Sequence, residues 1–426
     1  MREITADIAV VGGGPAGMSA ALRACGLGAK TVLIERDAAL GGILNQCVHD
    51  GFGLLRFKKQ MSGSQYAQQF ADAVYESSAS VMTETTVLKL IPGECGSKAQ
   101  SRQGLYTTGE KTGGALIRAG AVILAMGCRE RPRQQAGIVG SRPAGVLTAG
   151  AVQKYINVEG YLPGRKAVIL GSGDIGLIMA RRMTLEGIDV AGVYEIMPSP
   201  GGLRRNVAQC LDDYDIPLRL SSTVTEVHGK KRVEGVTVAD VDAARHPIPG
   251  TEVFVPCDLL VLSVGLIPEN ELSRDAGIEM DPVTGGPVLD NFMMASVPGF
   301  FAAGNVSAVF DLVDYVSDTG EAAAEGACRF LGGEALPEYV TVRAGDDVSF
   351  VLPGKIRRDL PSSALYMRVK RTIENAVLEI LADGKPVYEK KHPIVTPPEM
   401  VTARFHESAG SGVPDAGGLT VRILGD

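Results

Sequence analysis

A glycine-rich turn near the start of the chain constrains its fold more than any other feature of the sequence. Residues 8–11 are an apolar run of the kind that forms buried strands, and they lead directly into Gly-Gly-Gly-Pro-Ala-Gly over residues 12–17. Small residues typical of a closely packed helix follow over 18–25, and a second apolar run over 31–34 ends at an acid. This order predicts a strand–helix–strand unit whose turn carries the glycines.

The spacing of the glycines and the acid indicates what this unit could bind. In a dinucleotide-binding turn the first glycine makes the bend, the second lets the backbone approach a pyrophosphate, and the third lets the helix pack on the strand. Gly12, Gly14 and Gly17 have this spacing. Glu35 follows at the distance where a carboxylate accepts hydrogen bonds from ribose hydroxyls. The opening of the chain therefore predicts a dinucleotide site with its phosphates at a helix N-terminus.

A second copy of the same pattern occurs in the middle of the chain. An apolar run over residues 166–170 leads into Gly-Ser-Gly-Asp-Ile-Gly over 171–176, and the strand expected after the next helix ends at Glu195. Two such turns predict two dinucleotides on one chain. A carboxylate at the ribose position favours the 2′-hydroxyl of NAD over the 2′-phosphate of NADP. Because Arg204 and Arg205 lie only a loop away, NADP stays open as the less favoured nucleotide.

The order of these patterns predicts a discontinuous first domain. An apolar strand ends at Gly127, and another ends at Gly304 and Asn305 before a helix expected over about 312–331. We expect an α/β fold of two Rossmann-like, three-layer dinucleotide-binding domains, one inserted in the other, and a small C-terminal β domain. The expected domains are residues 1–148 with 269–335, residues 149–268, and residues 336–426. Further expectations are strands over 81–90, 223–228, 232–238 and 259–264, a Gly/Ser/Lys-rich hairpin before 115, and a loose loop over 410–418.

Composition and charge exclude several classes of protein. The 426 residues are 45% hydrophobic, which is enough for packed cores, and the net charge of −7 offers no footprint for nucleic acid. The longest apolar stretch, about 253–267, is interrupted and too short for a membrane helix. The seven cysteines include no CxxC pair, which predicts reduced thiols. We find no secretory leader before the first strand and therefore expect a cytoplasmic chain. No His/Cys/Asp/Glu cluster has metal spacing, so we expect no metal.

The segment that follows the first acid holds the candidates for catalysis. Gly41 and Gly42 would let the backbone run close to a ligand, and the polar residues behind them would reach its reactive end. Cys47 is a candidate redox thiol if its pKa is lowered, and otherwise a small buried residue. His49 is a candidate proton donor, with an ordinary hydrogen-bonding role as the alternative.

Together these motifs resemble the two-dinucleotide-binding flavoproteins, the superfamily of glutathione and thioredoxin reductases, over about the first 330 residues. The resemblance implies that the first turn binds FAD and the second NAD(H). The FAD contacts it implies are Gly12, Gly14, Pro15, Ala16, Gly17, Glu35, Arg36, Gly41, Gly42, Gly127, Gly304 and Asn305, and the NAD contacts are Gly171, Gly173, Asp174, Ile175, Gly176, Glu195 and Gly265. Asn305 stands where the superfamily usually has aspartate, so the hydrogen-bonding role is kept and the charge is lost.

Shorter motifs narrow the resemblance. Residues 41–53, 128–132, 145–150 and 304–306 resemble the bacterial NAD(FAD)-dependent dehydrogenases associated with glycerol-3-phosphate dehydrogenase. The middle two segments are also similar to the flavin subunits of opine oxidases and hydrogen cyanide synthase. The opine-type subunits carry extra cysteine motifs for an iron–sulfur centre, and this sequence has none. These relatives imply a partner dehydrogenase subunit, and the resemblance also leaves open a homodimer.

The cysteine spacing decides the kind of reaction expected. Disulfide reductases of the superfamily carry CxxxxC after the paired glycines or CxxC in the NAD domain, and neither spacing occurs here. We expect an FAD-dependent oxidoreductase that moves hydride between NAD(H) and FAD and passes electrons to a small-molecule acceptor or partner dehydrogenase. Two alternatives stay open: a flavin dehydrogenase or oxidase for a small amine or hydroxy acid with a vestigial NAD site, and a non-catalytic nucleotide-responsive scaffold.

Overall fold

The chain divides into two units, one inserted in the sequence of the other. The computed structural model describes residues 2–93, 102–359, 363–405 and 417–425. The first unit draws on Met1–Asn45, Asp50–Cys128 and Pro268–Asp426, and the second on Gln46–His49 and Arg129–Ile267.

Helices and strands are mixed along the chain up to residue 331, and the described residues beyond it form strands and their connections. Up to residue 124 the elements are β1 (Arg2–Val11), α1 (Pro15–Gly26), β2 (Thr31–Ile34), a 3₁₀ turn (Gly42–Gln46), β3 (Asp50–Phe52), β4 (Met61–Ser62), α2 (Gly63–Glu76), β5 (Ser80–Met82), β6 (Thr85–Ile91), β7 (Gln103–Gly109) and β8 (Gly113–Leu124). From residue 128 they are β9 (Cys128–Glu130), a 3₁₀ turn (Arg133–Ala136), β10 (Val139–Gly140), β11 (Val146–Thr148), α3 (Ala149–Asn157), β12 (Lys166–Leu170), α4 (Asp174–Leu185), β13 (Asp189–Tyr194), α5 (Arg204–Cys210), a 3₁₀ turn (Asp212–Tyr214), β14 (Leu218–Arg219), β15 (Ser222–His228), β16 (Gly235–Asp240), β17 (Val253–Val255), β18 (Leu259–Leu262) and β19 (Leu266–Pro268). The remainder are α6 (Glu271–Asp275), β20 (Phe300–Ala302), a 3₁₀ turn (Gly304–Val306), α7 (Val313–Leu331), β21 (Tyr339–Ala344), β22 (Val348–Leu352), β23 (Lys355–Arg357), β24 (Ser363–Val369), β25 (Ile373–Ala382), β26 (Lys385–Val395), β27 (Val401–Phe405) and β28 (Gly418–Leu424).

The first unit is built on a parallel sheet in which β5, β2, β1, β8 and β20 lie side by side. Ile8 and Val10 of β1 are fully buried because β2 and β8 flank the strand on both sides. The second half of β8 also pairs with β20, with Val122 opposite Phe300, while its first half pairs antiparallel with β7. A strand from much later in the sequence therefore completes the sheet that carries the first glycine turn, which makes this unit discontinuous.

Helices α1 and α7 pack against each other at backbone distance. A Cβ atom on Gly320 of α7 would lie 2.3 Å from the carbonyl oxygen of Ala16 in α1, so only glycine fits there. The Ser19 hydroxyl of α1 donates a hydrogen bond of 2.6 Å to the carbonyl oxygen of Ser317. These contacts hold the first half of α7 beside the start of α1, where the glycine turn lies.

The second unit repeats the parallel arrangement in the sheet β11-β18-β12-β13-β14. β12 lies between β13 and β18, and its residues from Ala167 to Leu170 are buried. A separate sheet, β10-β15-β16-β17, shares an apolar core with it that includes Val168, Val224 and Val236. The second glycine turn, between β12 and α4, thus has the same place in its sheet as the first turn has between β1 and α1.

Beyond α7 the chain forms two β-sheets over one apolar core. Their strand orders are β23-β21-β28-β25-β26 and β22-β24-β27. The core includes Val340, Leu365 and Ile380, which are almost completely buried. This region groups with the first unit, and Arg404 of β27 forms an ion pair of 2.9 Å with Asp318 of α7.

The expected fold class is confirmed, and several boundaries are corrected. Residues 129–148, assigned from the sequence to the first domain, belong to the second unit, because β10 pairs with β15 and β11 with β18. The strand expected over 81–90 is divided between β5 and β6, because Glu84 has a positive φ of 51°. The strand expected over 232–238 begins only at Gly235, and the one over 259–264 ends at Leu262. The expected hairpin and the loop over 410–418 fall partly on residues 94–101 and 406–416, outside the described residues.

We expect Gly320→Ala to destabilise the first unit, although alanine is the better helix former. The added Cβ would meet the carbonyl oxygen of Ala16, and overpacking of this kind costs about 1–3 kcal/mol. Urea unfolding of the two proteins measures the difference. Gly26→Ala, at the exposed end of α1 where a Cβ would meet nothing within 4 Å, is the matched control and should be neutral or slightly stabilising. Equal stability of Gly320→Ala and the wild type would contradict the close packing of α1 and α7.

Candidate functional site

The first glycine turn has two glycines required by packing and one that faces open space. A Cβ on Gly12, whose φ is +106°, would lie 2.4 Å from the carbonyl oxygen of Ala125. One on Gly17 would lie 1.8 Å from the carbonyl oxygen of Gly12. A Cβ on Gly14, by contrast, would meet nothing within 4 Å. The middle glycine therefore leaves room for a ligand to approach the backbone, as a pyrophosphate requires.

The acid at the end of β2 closes onto this turn. Glu35 is only 6% exposed, and its Oε2 accepts a hydrogen bond of 2.7 Å from the Gly13 N–H. Its Oε1 accepts one of 2.8 Å from the Asp37 N–H. Each oxygen keeps a further lone pair, because a carboxylate has about four acceptor positions. The carboxylate is thus fixed beside the turn with acceptor capacity left for ribose hydroxyls.

The second turn repeats this geometry in the second unit. A Cβ on Gly171 would lie 2.1 Å from the carbonyl oxygen of Ser263, so the bend again requires glycine. Glu195 is also 6% exposed, and its Oε2 accepts hydrogen bonds from the N–H and the hydroxyl of Ser172 at 2.8 and 2.6 Å. Its Oε1 accepts one of 2.9 Å from the Met197 N–H. We call each glycine turn together with its carboxylate a cradle: the first is residues 12–17 with Glu35, and the second is residues 171–176 with Glu195. Two cradles of the same geometry therefore lie on one chain.

The helices that start at the two cradles have glycine as their N-cap residues. Gly14 of α1 and Gly173 of α4 have no side chain to bond the first N–H groups of their helices, and in α4 the Gly176 N–H donates to Ser263 Oγ. The hydroxyls of Ser62 and Thr148 cap α2 and α3. Uncapped N–H groups and the helix dipole favour an anion, so both cradles fit the phosphates of a dinucleotide.

The other residues expected to contact FAD gather around the first cradle or lie near it in the first unit. Gly41 donates its N–H to the Gly13 carbonyl oxygen at 2.8 Å, and a Cβ on Gly42 would lie 3.1 Å from the Gly14 Cα. Gly304 lies against Ala16, to which its Cβ would approach within 2.8 Å.

Three of the residues expected to contact FAD are less directly tied to the turn. Asn305 accepts a hydrogen bond from the Phe310 N–H at 3.0 Å and donates to Cys128 Sγ at 3.5 Å. Gly127 has a positive φ and open space around it, and Arg36 is exposed. The FAD-contact role of each remains a prediction.

The expected NAD contacts also gather at the second cradle, together with residues that sequence reasoning missed. Asp174 accepts hydrogen bonds at its Oδ1 from the Leu203 N–H and the Asn206 amide, so it holds the following loop in place. Gly265 has a positive φ and open space around it. Ser172 and Ser263 were not predicted. The glycine pattern leaves the position after its first glycine unspecified, and Ser263 follows a different strand, β18. Ser263 Oγ accepts a hydrogen bond of 3.1 Å from the Gly176 N–H.

Two motifs that suggested the narrower resemblance meet in the second unit. Glu130 of β9 accepts a hydrogen bond of 2.8 Å from the Gly150 N–H, at the start of α3. The Thr148 hydroxyl accepts one of 3.4 Å from the Ala151 N–H. Together these two side chains accept hydrogen bonds from two N–H groups in the first turn of α3, which gives both motifs a structural role.

The catalytic candidates Cys47 and His49 lie in a segment that belongs to the second unit. The Gln46 side chain donates to the Gly150 carbonyl oxygen and to Gln153 Oε1, both at 3.0 Å, which ties the segment to α3. Cys47 is 8% exposed, and its Sγ lies 3.8 Å from Gln153 Oε1. Burial raises the pKa of the Cys47 thiol to about 12. The thiol is therefore protonated at neutral pH, which argues against a redox role; His49 is partly buried, and its role stays a prediction.

Three further features can be checked in the described residues: metal clusters, disulfides and membrane-spanning helices. Within the described ranges, no group of three or more histidine, cysteine or acidic side chains is arranged to hold a metal ion. No disulfide joins the cysteines that the structure describes. None of the described helices is both long and apolar enough to cross a membrane.

Residues 6–326 match the family described as pyridine nucleotide-disulphide oxidoreductase. The chain belongs to this family. Members of the family bind FAD and pyridine nucleotides, and the uncapped helix and the closed carboxylate of the first cradle fit FAD. The assignment as an FAD flavoprotein and an oxidoreductase therefore agrees with the geometry. The association with glycerol-3-phosphate dehydrogenase is not part of the family match.

Individual relatives are distant. An opine oxidase subunit of Agrobacterium tumefaciens (strain Ach5) is 25% identical over 315 residues, which are 70% of this chain and 61% of the relative. Human mitochondrial dihydrolipoyl dehydrogenase is 26% identical over 372 residues, covering 79% of this chain and 69% of that protein. The crystal structure of T. acidophilum thioredoxin reductase is similar with a TM-score of 0.61 and 25% identity, covering 76% of this chain and 97% of that one.

This chain spans about three fifths of the length of the opine oxidase subunits that it matches. The likeness to thioredoxin reductase leaves out about a quarter of this chain.

We expect Cys47 to react very slowly with iodoacetamide in the native protein. The rise of its pKa from 9.0 to about 12 lowers the thiolate fraction at pH 8 by about 1000-fold relative to the unfolded chain. Peptide mass spectrometry after timed labelling measures the rate, and the same peptide in urea is the control. Fast labelling of the native protein would support Cys47 as the redox thiol.

Because the pKa of Cys47 is higher in the folded than in the unfolded chain, this thiol leaves the free energy of unfolding unchanged below pH 9 and lowers it as the pH rises towards 12.

Proposed function

We propose that this chain is an FAD-dependent oxidoreductase that transfers hydride between NAD(H) and the bound flavin. It passes the electrons to a small-molecule acceptor or a partner dehydrogenase without a redox-active disulfide. The observation that carries the proposal is a hydrogen bond that occurs in both units, from a backbone N–H of the glycine turn to a buried carboxylate. Gly13 donates to Glu35 in the first unit, and Ser172 donates to Glu195 in the second. A second cradle with intact packing and hydrogen bonds supports a second nucleotide in addition to FAD.

The residues of the two cradles would bind and orient the nucleotides. The N–H groups at the starts of α1 and α4 would hold the two pyrophosphates, and the two carboxylates would accept hydrogen bonds from the adenosine riboses. When bound, FAD supplies a two-electron acceptor that takes hydride from NADH, leaving NAD⁺, and can release electrons singly or in pairs. One cradle lies on each parallel sheet, so each sheet would bind one nucleotide.

The cysteines support a route that does not use a disulfide. The sequence has neither the CxxxxC nor the CxxC spacing that the resemblance associates with disulfide reductases. The thiols of Cys47, Cys210 and Cys257 are buried, and burial raises the pKa of each. Thiols of this kind are poor nucleophiles and poor partners for exchange.

Anaerobic mixing of the purified, FAD-loaded protein with NADH tests the proposal. We expect NADH to bleach the long-wavelength flavin absorbance and an added acceptor to restore it. Oxygen, peroxide, a quinone and a dye, tried in turn, would identify the class of acceptor. Protein that takes up no flavin, or bound flavin that NADH does not reduce, would contradict the proposal.

A second function is favoured by one specific observation, the similarity to the opine oxidase subunit of Agrobacterium tumefaciens. In this alternative the chain is a flavin dehydrogenase or oxidase component for a small amine or hydroxy acid, and its second cradle is vestigial. The partner would be a further subunit of the enzyme, since the relative is named as one subunit of an oxidase. Bleaching by such a substrate without bleaching by NADH would select this alternative.

We expect Glu195→Gln to weaken NAD⁺ binding by about tenfold while leaving FAD bound. The variant removes the charge from the ribose acceptor, and hydrogen bonds to a charged group contribute about 1.5–3 kcal/mol. Calorimetry of NAD⁺ with the oxidised, FAD-loaded protein measures the affinity without turnover. Glu35→Gln is the matched variant in the first cradle, and it should promote loss of FAD. Unchanged NAD⁺ affinity of Glu195→Gln would remove Glu195 from the ribose site.

A further inference from the structure

The loop at the tip of the β3–β4 hairpin exposes two neighbouring leucines. β3 and β4 pair antiparallel, and residues 53–60 connect them. In this β3–β4 loop Leu54 and Leu55 are 54% and 44% exposed, and Phe57 is 37% exposed. Single exposed apolar side chains are common, but apolar side chains exposed side by side and bordered by polar residues mark sites of interaction. The β3–β4 loop is therefore a candidate interaction surface.

Contacts on the inner side of the loop fix its backbone. The Phe57 N–H donates a hydrogen bond of 2.8 Å to the Gly53 carbonyl oxygen, which closes one turn. The Leu55 N–H donates one of 3.3 Å to Asp314 Oδ2, in the first turn of α7. The Phe57 ring meets the Tyr66 ring of α2 edge-on, with 5.4 Å between the ring centres. The two leucines are thus presented to solvent by a turn that is bonded to α7 and packed on α2.

The charges beside the loop are paired, whereas two lysines that follow are not. The Arg56 guanidinium forms ion pairs with Asp318 and Glu321 of α7. Lys58 and Lys59 are exposed, and neither forms an ion pair with the residues that the structure describes. The loop therefore combines exposed apolar side chains with uncompensated positive charge.

The size and composition of this surface favour a lipid bilayer over a protein partner. A specific protein–protein interface uses about 20–30 residues on each side, and lysine is depleted in it. The β3–β4 loop offers three exposed apolar side chains and two lysines. Such a set suits a bilayer surface, because apolar side chains enter the boundary between headgroups and acyl chains while lysines are attracted to anionic lipids. The long apolar stem of lysine lets its ammonium group stay among the headgroups while a leucine lies deeper.

The negative net charge of the chain, −7, does not cancel this attraction. At physiological ionic strength salt screens charges beyond about 8 Å, so a bilayer responds to the charges closest to it. Asp50, an exposed acid of the same hairpin, lies opposite Ser62 at the start of β3, the end away from the loop. The lysines therefore determine the sign of the charge at the loop.

We propose that the β3–β4 loop attaches this chain to anionic lipid bilayers. Leu54 and Leu55 enter the headgroup region, and Lys58 and Lys59 bind the anionic headgroups. The attachment is peripheral and reversible, because a turn with few apolar side chains reaches only the surface of the bilayer. The inference does not involve the nucleotides, so it holds or fails independently of the proposed function.

Co-sedimentation of the purified protein with lipid vesicles tests the proposal. One kind of vesicle contains phosphatidylcholine alone, and the other contains phosphatidylcholine and phosphatidylglycerol in equal parts. We expect binding to the anionic vesicles to be at least about tenfold stronger than to the neutral ones, and to weaken as salt is added. Wild-type protein that sediments with neither kind of vesicle would overturn the proposal, and equal binding to both kinds would overturn the role of the lysines.

Two double variants separate the apolar contribution from the charged one. Leu54→Ser/Leu55→Ser should weaken binding to anionic vesicles by at least about tenfold, because it removes the apolar surface that enters the bilayer. Lys58→Ala/Lys59→Ala should weaken binding to anionic vesicles by about tenfold and leave binding to neutral vesicles unchanged. Thermal unfolding of each variant verifies that it is folded. Binding by the folded variants that equals wild-type binding would overturn the assignment of the loop.

Matched controls change the same residue types on other exposed parts of the chain. Leu88→Ser/Leu162→Ser removes two leucines that are as exposed as those of the loop, and Lys230→Ala/Lys231→Ala removes two exposed lysines. Both should bind anionic vesicles within about threefold of the wild type. Losses as large as those of the loop variants would overturn the specific role of the β3–β4 loop.

A fluorescent reporter tests insertion directly. The chain contains no tryptophan, so Leu54→Trp places a single indole at the loop, and Leu162→Trp is the control. Since indole emission moves to shorter wavelength when the ring leaves water, we expect anionic vesicles to shift the emission of Leu54→Trp and not that of Leu162→Trp. Unshifted emission from vesicle-bound Leu54→Trp would overturn insertion. A wild type that binds no vesicles but self-associates through the loop, as seen by light scattering of the leucine variant, would assign the loop to a protein contact and overturn the proposal.

Discussion

The hydrogen bond from a backbone N–H to a buried carboxylate is the interaction on which both cradles depend. Glu35 and Glu195 are each 6% exposed, and a buried carboxylate is costly unless donors surround it. The donors come from the glycine turn on one side and from the chain just beyond the acid on the other. Turn and acid therefore fix each other, and the acceptor positions left over are those that a ribose at each proposed site would use.

Close backbone packing imposes the second constraint, and it explains why the first unit is discontinuous. The turn at Gly12 and Gly17 has no room for side chains, and Gly320 brings α7 against the same stretch of α1. β20 and α7 come late in the sequence, yet they complete the sheet and the helix layer around the first cradle. The second unit can be inserted between these parts because its own parallel sheet consists of strands from within the inserted segment, β11 to β18.

The segment with the catalytic candidates shows how tertiary context changes the chemistry of a residue. In the sequence, Cys47 follows the paired glycines closely, which suggests a thiol at the reactive end of a ligand. In the structure, residues 46–49 belong to the second unit, and Gln153 of α3 lies against the sulfur. Desolvation then raises the pKa of the thiol, the opposite of what a redox thiol needs. The chemistry of the proposed reaction thus rests with the nucleotides.

The sequence by itself determined the two strand–turn–helix units, the acids that end their second strands and the discontinuous order of the parts. The two units depend on contacts within about thirty residues, and the order of the parts is indicated by apolar runs that end in glycine, both of which a sequence displays directly. Only the tertiary structure decided that residues 129–148 join the second unit, that Ser172 occupies an acceptor of Glu195, and that Cys47 is buried. Each of these depends on which side chains and strands from distant parts of the chain come together, and neither glycine spacing nor hydropathy specifies such partners.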